Sequence, residues 1–132
     1  MHLKSKPALA LTDNGLTLTA CGALAGLGNG DVTITLVADG EVFTICTSPG
    51  GNDAPGQNPG ETVVLGDVTI PSNQIKNGSL QFCVTTVAPA TPTPKEAGCP
   101  NNNWTVRIAD VDFSGALLIV EQGGKVVLQK TL

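Results

Sequence analysis

The sequence offers no suitable general base for nucleophilic catalysis. A serine or cysteine nucleophile is normally activated by a neighbouring base, usually histidine. The one histidine, His2, lies in a basic N-terminal tail, and the chain contains no tyrosine. We therefore expect that the protein is not an enzyme of this class and that it carries no cofactor.

Asp110 and Asp112 are the candidate pair of catalytic carboxylates. They are two residues apart in a strand-like segment, so their side chains project from the same face. Glycosidases place two carboxylates around the scissile bond. Neighbours on one strand more often face water together, and few aromatic side chains are present to line a sugar cleft, so we expect no catalysis here. The aromatic residues are Phe43, Phe82, Trp104 and Phe113.

Calcium binding is a second use for acidic and amide side chains. Asp110 and Asp112, or Asn52 and Asp53 with nearby loop carbonyls, offer the hard oxygen ligands that calcium prefers. Calcium takes about six or more oxygens, and the sequence has no dense acidic repeat. We therefore expect these residues to stabilise turns through their own hydrogen bonds, with calcium as the alternative.

Trp104 follows three consecutive asparagines at the start of a predicted strand. A tryptophan beside polar loop residues can stack on a sugar ring, which makes Trp104, Asn101, Asn103, Asn52 and Asp53 a candidate ligand-binding set. Tryptophan is buried on average. We therefore favour a core position against a nearby disulfide, and a glycan site is the alternative.

The four cysteines predict two disulfides rather than a metal site. Zinc sites use closely spaced cysteine pairs, whereas wide spacing and an even number are typical of a disulfide framework. Cys21 and Cys83 share the outward face of their predicted strands. Cys46 and Cys99 lie at the roots of two long loops, outside the alternating core pattern. We therefore predict the bridges Cys21–Cys83 and Cys46–Cys99, with no free thiol.

Alternation of apolar and polar residues predicts strands almost throughout the chain. Turn signals at Asp39-Gly40 and Gly123-Gly124 predict tight hairpins, and Asn77-Gly78 precedes another strand. Short strands separated by such turns are typical of a sandwich, so we predict an all-β, Ig-like antiparallel fold with 15–132 as one domain. The eight predicted strands are 15–24, 31–38, 41–48, 61–70, 79–88, 103–113, 115–121 and 125–131.

Three segments lie outside these strands. The loops 48–60 and 88–102 are long, which in a compact domain indicates a functional, pinned or disordered loop. Residues 1–14 form an N-terminal extension, and its segment 6–12 is predicted to be an interaction strand because residues 9–12 are apolar enough to bury. It can pair with its own domain beside Val126-Val127-Leu128, or it can be donated to a neighbouring molecule. An idle tail is the remaining alternative.

Charge and hydropathy exclude several partners. The net charge is −4 and the seven basic residues are scattered, so we expect neither nucleic-acid binding nor attachment to an anionic membrane. The longest apolar run, 116–120, is far shorter than the ~20 residues of a spanning helix, which predicts no membrane insertion. Paired cysteines favour a secreted or cell-surface protein whose signal peptide has been removed, and a cytosolic protein is the alternative.

Several segments resemble a group of uncharacterised small secreted microbial β-sandwich proteins. The resemblance covers most of the chain from Leu16 onward and is most specific in the two loops that begin at cysteines. It implies export and a β-rich fold, and it implies no activity or catalytic residue. The segments are Gly26–Val32 (GLGNGDV), Cys46–Asn52 (CTSPGGN) with Ala54–Pro59 (APGQNP), Ile75–Gly78 (IKNG) and Cys99–Trp104 (CPNNNW).

These observations predict a non-catalytic extracellular module with a structural or adhesive role. A carbohydrate-binding domain is one alternative, with an extracellular glycan as the partner. A self-assembling surface filament subunit is the other, with a second copy of the chain as the partner and the N-terminal segment as the donated strand.

Overall fold

A computed structural model describes all 132 residues. It contains nine β-strands, which form two antiparallel sheets, together with one short α-helix and one 3-10 turn. Apolar side chains from the two sheets meet in one cluster of 16 buried residues. The predicted all-β sandwich is confirmed, and so are its two disulfides, since no cysteine is free.

The small sheet is built around β3 (Leu18–Ala25). One edge of β3 pairs with β7 (Leu80–Thr85), and the other edge pairs with the short strands β1 (His2–Leu3) and β2 (Ala10–Asp13). Cys21 and Cys83 lie directly opposite each other in this ladder. Their bridge therefore joins strands that are already neighbours, as the shared outward face predicts.

The N-terminal extension belongs to the small sheet. Ala10 pairs with Cys21, and the turn between β2 and β3 is held by the Gly15 N–H, which donates to the Asp13 carboxylate. The predicted location beside Val126-Val127-Leu128 is therefore wrong. The turn after β2 is so short that β3 is the nearest edge available to it, and consecutive strands usually pair.

The large sheet is built around β4 (Val32–Thr47) and β8 (Thr105–Gln122), and every residue of β4 has a partner on β8. β9 (Lys125–Thr131) pairs with the free edge of β8. β6 (Gly60–Ile70) and the short β5 (Asp53–Pro55) share the free edge of β4. The order across the sheet is thus β6 with β5, then β4, β8 and β9.

Asp39-Gly40 lies inside β4 and forms no hairpin. Gly40 pairs with Thr62 on one side and with Phe113 on the other, so the strands predicted at 31–38 and 41–48 are a single strand. Glycine is required here by close packing, because a Cβ at this position would lie 2.7 Å from the Val111 Cγ1. The Asp-Gly pair was therefore misread as a turn signal.

The strands predicted at 103–113 and 115–121 are likewise one strand, β8. Register shifts opposite Asp39/Gly40 and Phe43/Thr44 accommodate its extra residues without ending the pairing. Gly123-Gly124 does form the predicted hairpin, with φ of 63° and 79°. Asn77-Gly78 also forms a turn with positive φ at both residues.

The far half of the large sheet extends beyond the small sheet and is covered by the two long loops. The cluster of 16 buried residues includes residues of β4 only as far as Ala38. Beyond it, Val42, Cys46 and Val111 are also buried, and Ala97 of the second loop is buried with them. Cys46 is fully buried at the last inward position of β4, so the prediction that it lies outside the core pattern is wrong.

A one-turn helix, α1 (Pro94–Ala97), shapes the second loop. Thr93 and Glu96 form a reciprocal capping box, with bonds of 3.0 and 3.2 Å between each side chain and the other residue's backbone N–H. The bond from the Thr93 backbone, followed by that from its side chain, lowers the pKa of the Glu96 carboxyl. The Cys46–Cys99 bridge then ties this loop to β4, with a Cα–Cα distance of 5.7 Å. Neither helical segment has the length and apolar character needed to cross a membrane.

We expect Gly56→Ala to destabilise the loop cover, because Gly56 lies against β4 with no room for a side chain. An added Cβ would meet the Thr44 hydroxyl and lie 2.8 Å from the Ala97 carbonyl oxygen. The expected loss is about 2 kcal/mol in the free energy of unfolding, measured by chemical denaturation. Gly60→Ala is the matched control, since a Cβ there meets nothing within 4 Å. Equal effects of the two substitutions would show that the cover is not close-packed.

Candidate functional site

The outer face of the large sheet is the surface that points away from the core. Along β4 every even-numbered residue from Val32 to Cys46 is buried, and every odd-numbered residue is exposed or half-buried. Residues of β5, β6 and β8 that lie opposite the odd-numbered residues of β4 share this face. The strand register therefore decides which side chains meet on it.

This outer face carries most of the negative charge of the chain. Eight of the 11 acidic residues lie on it but only one of the seven basic residues, which gives the face a formal charge of −7 and the rest of the chain +3. The moderate net charge of the sequence thus hides a strongly uneven distribution of charge over the molecule. The acidic residues are Asp39, Glu41, Asp53, Glu61, Asp67, Asp110, Asp112 and Glu121, and the basic residue is Arg107.

Three carboxylates form a row across the sheet, which we call the acidic row. Glu41 of β4 lies directly opposite Glu61 of β6 on one side and Asp112 of β8 on the other. With Asp39 they line an open depression of about 430 Å³. Like charges directly opposite each other in a sheet are destabilising, so this arrangement costs the fold free energy.

An apolar band lies next to the acidic row. Leu65, Val37 and Leu117 are opposite one another on three adjacent strands. Val63 is 64% exposed and Leu65 is 53% exposed. Val87 lies at the edge of the band, where its N–H donates to the Leu65 carbonyl oxygen at 2.9 Å, and it is 64% exposed. Exposed apolar side chains that adjoin in this way mark interaction surfaces more often than isolated ones do.

One end of the outer face carries several residues of the predicted ligand-binding set. Thr47 lies opposite both Asp53 and Thr105, so Asn52, Asp53 and Trp104 flank the same end of β4. The structure thus brings the two parts of the set to one end of the sheet. Trp104 is half-buried, so its exposure is intermediate between the buried core position and the exposed glycan-stacking position that the sequence left open.

The polar groups of this set are already engaged within the protein. The Asp53 carboxylate accepts a hydrogen bond from the Thr47 hydroxyl at 2.7 Å and forms an ion pair with Arg107 at 3.3 Å. These contacts, the bond from Thr47 first, lower the pKa of Asp53. The Asn101 side-chain oxygen accepts from the Asn103 N–H at 2.9 Å, as expected of asparagine in a turn.

The structure does not arrange the calcium candidates as a coordination site. Asp110 and Asp112 do share the outer face, but Asp110 lies opposite Phe43, and Asp112 belongs to the acidic row. No group of three or more His, Cys, Asp or Glu side chains is arranged to hold a metal ion. The outer face is therefore better described by its charge and its apolar band than by a coordination site.

Sequence reasoning found Asp110 and Asp112 but missed their neighbours Asp39, Glu41 and Glu61. The misread hairpin at Asp39-Gly40 made Asp39 a turn residue, and the pairing of Glu41 with Glu61 depends on strand register. A signal was nevertheless present, because Asp39, Glu41 and Phe43 alternate with the apolar residues on either side of Gly40.

Comparison of the chain with protein-family models, with curated proteins and with solved structures found no match. The resemblance to small secreted microbial proteins therefore stays a prediction.

We expect Glu41→Gln to raise the stability of the protein at low ionic strength, because it removes the central charge of the acidic row. Thermal unfolding measured at low and at high salt checks this, and the gain should shrink as salt screens the repulsion. Glu121→Gln is the control, since Glu121 lies opposite Thr33 and Val126 rather than another acid. A Glu41→Gln variant that is no more stable than Glu121→Gln would contradict the assigned register.

Proposed function

We propose that the protein is a secreted or cell-surface module with a structural or adhesive, non-catalytic role, and that it acts through the outer face of its large sheet. The observation that carries the proposal is the combination on one face of a formal charge of −7 with an exposed apolar band. Two disulfides support an oxidising compartment. An Ig-like arrangement of the strands stays part of the prediction.

The acidic row supports this proposal because it is costly to the fold. Glu61, Glu41 and Asp112 repel one another across the sheet, and a neutral residue at any of the three positions would relieve the repulsion. Features that reduce stability are commonly kept where function needs them. A partner that brings positive charge to this face would remove the repulsion and cover the apolar band in the same contact.

A glycan-binding role at the loop end is the second candidate. It is favoured by one observation, the half-buried position of Trp104 at the same end of the sheet as Asn52 and Asp53. The internal bonds of Asp53 and Asn101 leave fewer groups for hydrogen bonds to a sugar. A glycan array probed with the protein and with a Trp104→Ala variant tests this role separately.

We expect the protein to bind polystyrene beads that carry primary amines and not beads that carry sulfonates. The face variant Glu41→Gln/Glu61→Gln/Asp112→Asn should lose at least tenfold in retention on amine beads at low salt. The reason is that charge complementarity and apolar contact are needed on the same surface.

The matched control changes the three acidic residues that lie elsewhere. Asp13→Asn/Asp31→Asn/Glu96→Gln alters the net charge by the same amount, and each new side chain keeps an oxygen that can accept the existing hydrogen bond. This variant should bind amine beads as the parent protein does. Equal losses in the two variants would show that only net charge matters, and the proposed role of the outer face would then be wrong.

A further inference from the structure

We infer that the Cys21–Cys83 disulfide is a site of thiol–disulfide exchange, at which a low-molecular-weight thiol attacks the sulfur of Cys83. The bridge lies on the small sheet, so the inference is independent of the function proposed for the outer face of the large sheet. Three features of the molecule support it: the exposure of this bridge, the absence of charge around it, and strand pairing that does not require it.

The two bridges of the protein differ in exposure. Cys83 is an exposed, outward-facing residue of β7, and Cys21 is half-buried on β3. Cys46 is fully buried under the loops, and Cys99 is half-buried. Because exchange requires a thiolate to reach a sulfur atom, exposed disulfides are the more labile ones. The Cys21–Cys83 bridge is therefore the one open to reaction.

The position of the bridge in the small sheet favours attack on Cys83. Strand β7 is an edge strand, which pairs with β3 on one side and with no strand on the other. Cys21 instead lies between two strands, with Cys83 on one side and Ala10 of β2 on the other. Side chains of neighbouring strands thus flank Cys21 on both sides and Cys83 on one side only. We therefore assign the attack to the Sγ of Cys83.

An uncharged depression of about 420 Å³ adjoins the bridge. Both cysteines line it, together with Pro7, Ala8 and Gln81, and no acidic or basic residue does. Eight of the 11 acidic residues lie instead on the outer face of the large sheet, on the other side of the sandwich. A thiolate is an anion, so it reaches this bridge without the repulsion that it would meet on the acidic face. The depression offers space for the substituent of a small thiol.

The two strands that the bridge joins are also held together by other contacts. Five further residue pairs link β3 to β7. The hydroxyls of Thr19 and Thr85 form a hydrogen bond of 2.8 Å two residues away from the bridge. Inward-facing residues of both strands, among them Leu24 and Val84, are buried in the core. The bridge can therefore open while the strands stay paired, and its two cysteines stay opposite each other.

Exchange begins when the external thiol loses its proton to solvent and its thiolate attacks the Sγ of Cys83. A bond forms between these two sulfur atoms as the bond between Cys21 and Cys83 breaks. The electron pair leaves with the Cys21 sulfur, and the resulting thiolate takes a proton from solvent. The external sulfur is thereby oxidised and the Cys21 sulfur is reduced. Attack of the Cys21 thiolate on the mixed disulfide reverses the step and expels the external thiol.

Reaction of the full chain with reduced glutathione, without denaturant, tests the inference. Free thiols are blocked with N-ethylmaleimide at successive times, and peptide mapping locates both groups. At early times we expect glutathione on Cys83 and the maleimide on Cys21, formed about tenfold faster than any product of the Cys46–Cys99 bridge. The circular dichroism spectrum of the reacted protein should match that of the untreated protein, because the strands stay paired.

Gln81 provides a matched pair of variants, because it is exposed and lines the depression beside the bridge. Gln81→Glu should slow the exchange and Gln81→Lys should accelerate it, each by about threefold at low salt, and high salt should reduce the difference. Variants that react alike at low salt would overturn the inference. So would equal rates for the two bridges, glutathione found chiefly on Cys21, or a Cys21–Cys83 bridge that opens only in denaturant.

Discussion

The unbroken pairing of β4 with β8 is the constraint on which the rest of the structure depends. All 16 residues of β4 have partners on β8, and register shifts on β8 absorb its extra residues. Side chains along β4 therefore alternate between the two faces of the sheet without interruption, so the even-numbered ones face the core and the odd-numbered ones face outward. This uninterrupted alternation places the β4 residues of the buried cluster on one face and the acidic residues of β4 on the other.

The length of these two strands also explains the loops. The small sheet covers only the first half of β4, and the second half needs another cover for Val42, Cys46 and Val111. Loops 48–60 and 88–102 supply it, and the Cys46–Cys99 bridge anchors the second loop there. Their length is thus a packing requirement, and the surface proposed to bind a partner lies on the opposite side of the same strands.

The sequence predicted those features that depend on local alternation. The pairing of Cys21 with Cys83 followed from strand faces, and the Gly123-Gly124 hairpin followed from its need for positive φ. Features that depend on long-range register were beyond it. Nothing local shows that Glu61 lies opposite Glu41, and Asp39-Gly40 has the composition of a turn although Val111 packs against it. The capping box of Thr93 and Glu96 was readable in advance but was overlooked.

Amide hydrogen exchange across the middle of β4 distinguishes one continuous strand from two strands joined by a hairpin. We expect slow exchange throughout residues 37–43, because β4 continues through Asp39-Gly40 with β6 on one side and β8 on the other. Fast exchange at Gly40 and Glu41 between protected flanks would reveal a hairpin there. The odd-numbered residues on the two sides of that turn would then no longer share a face, and the acidic surface described above would not exist.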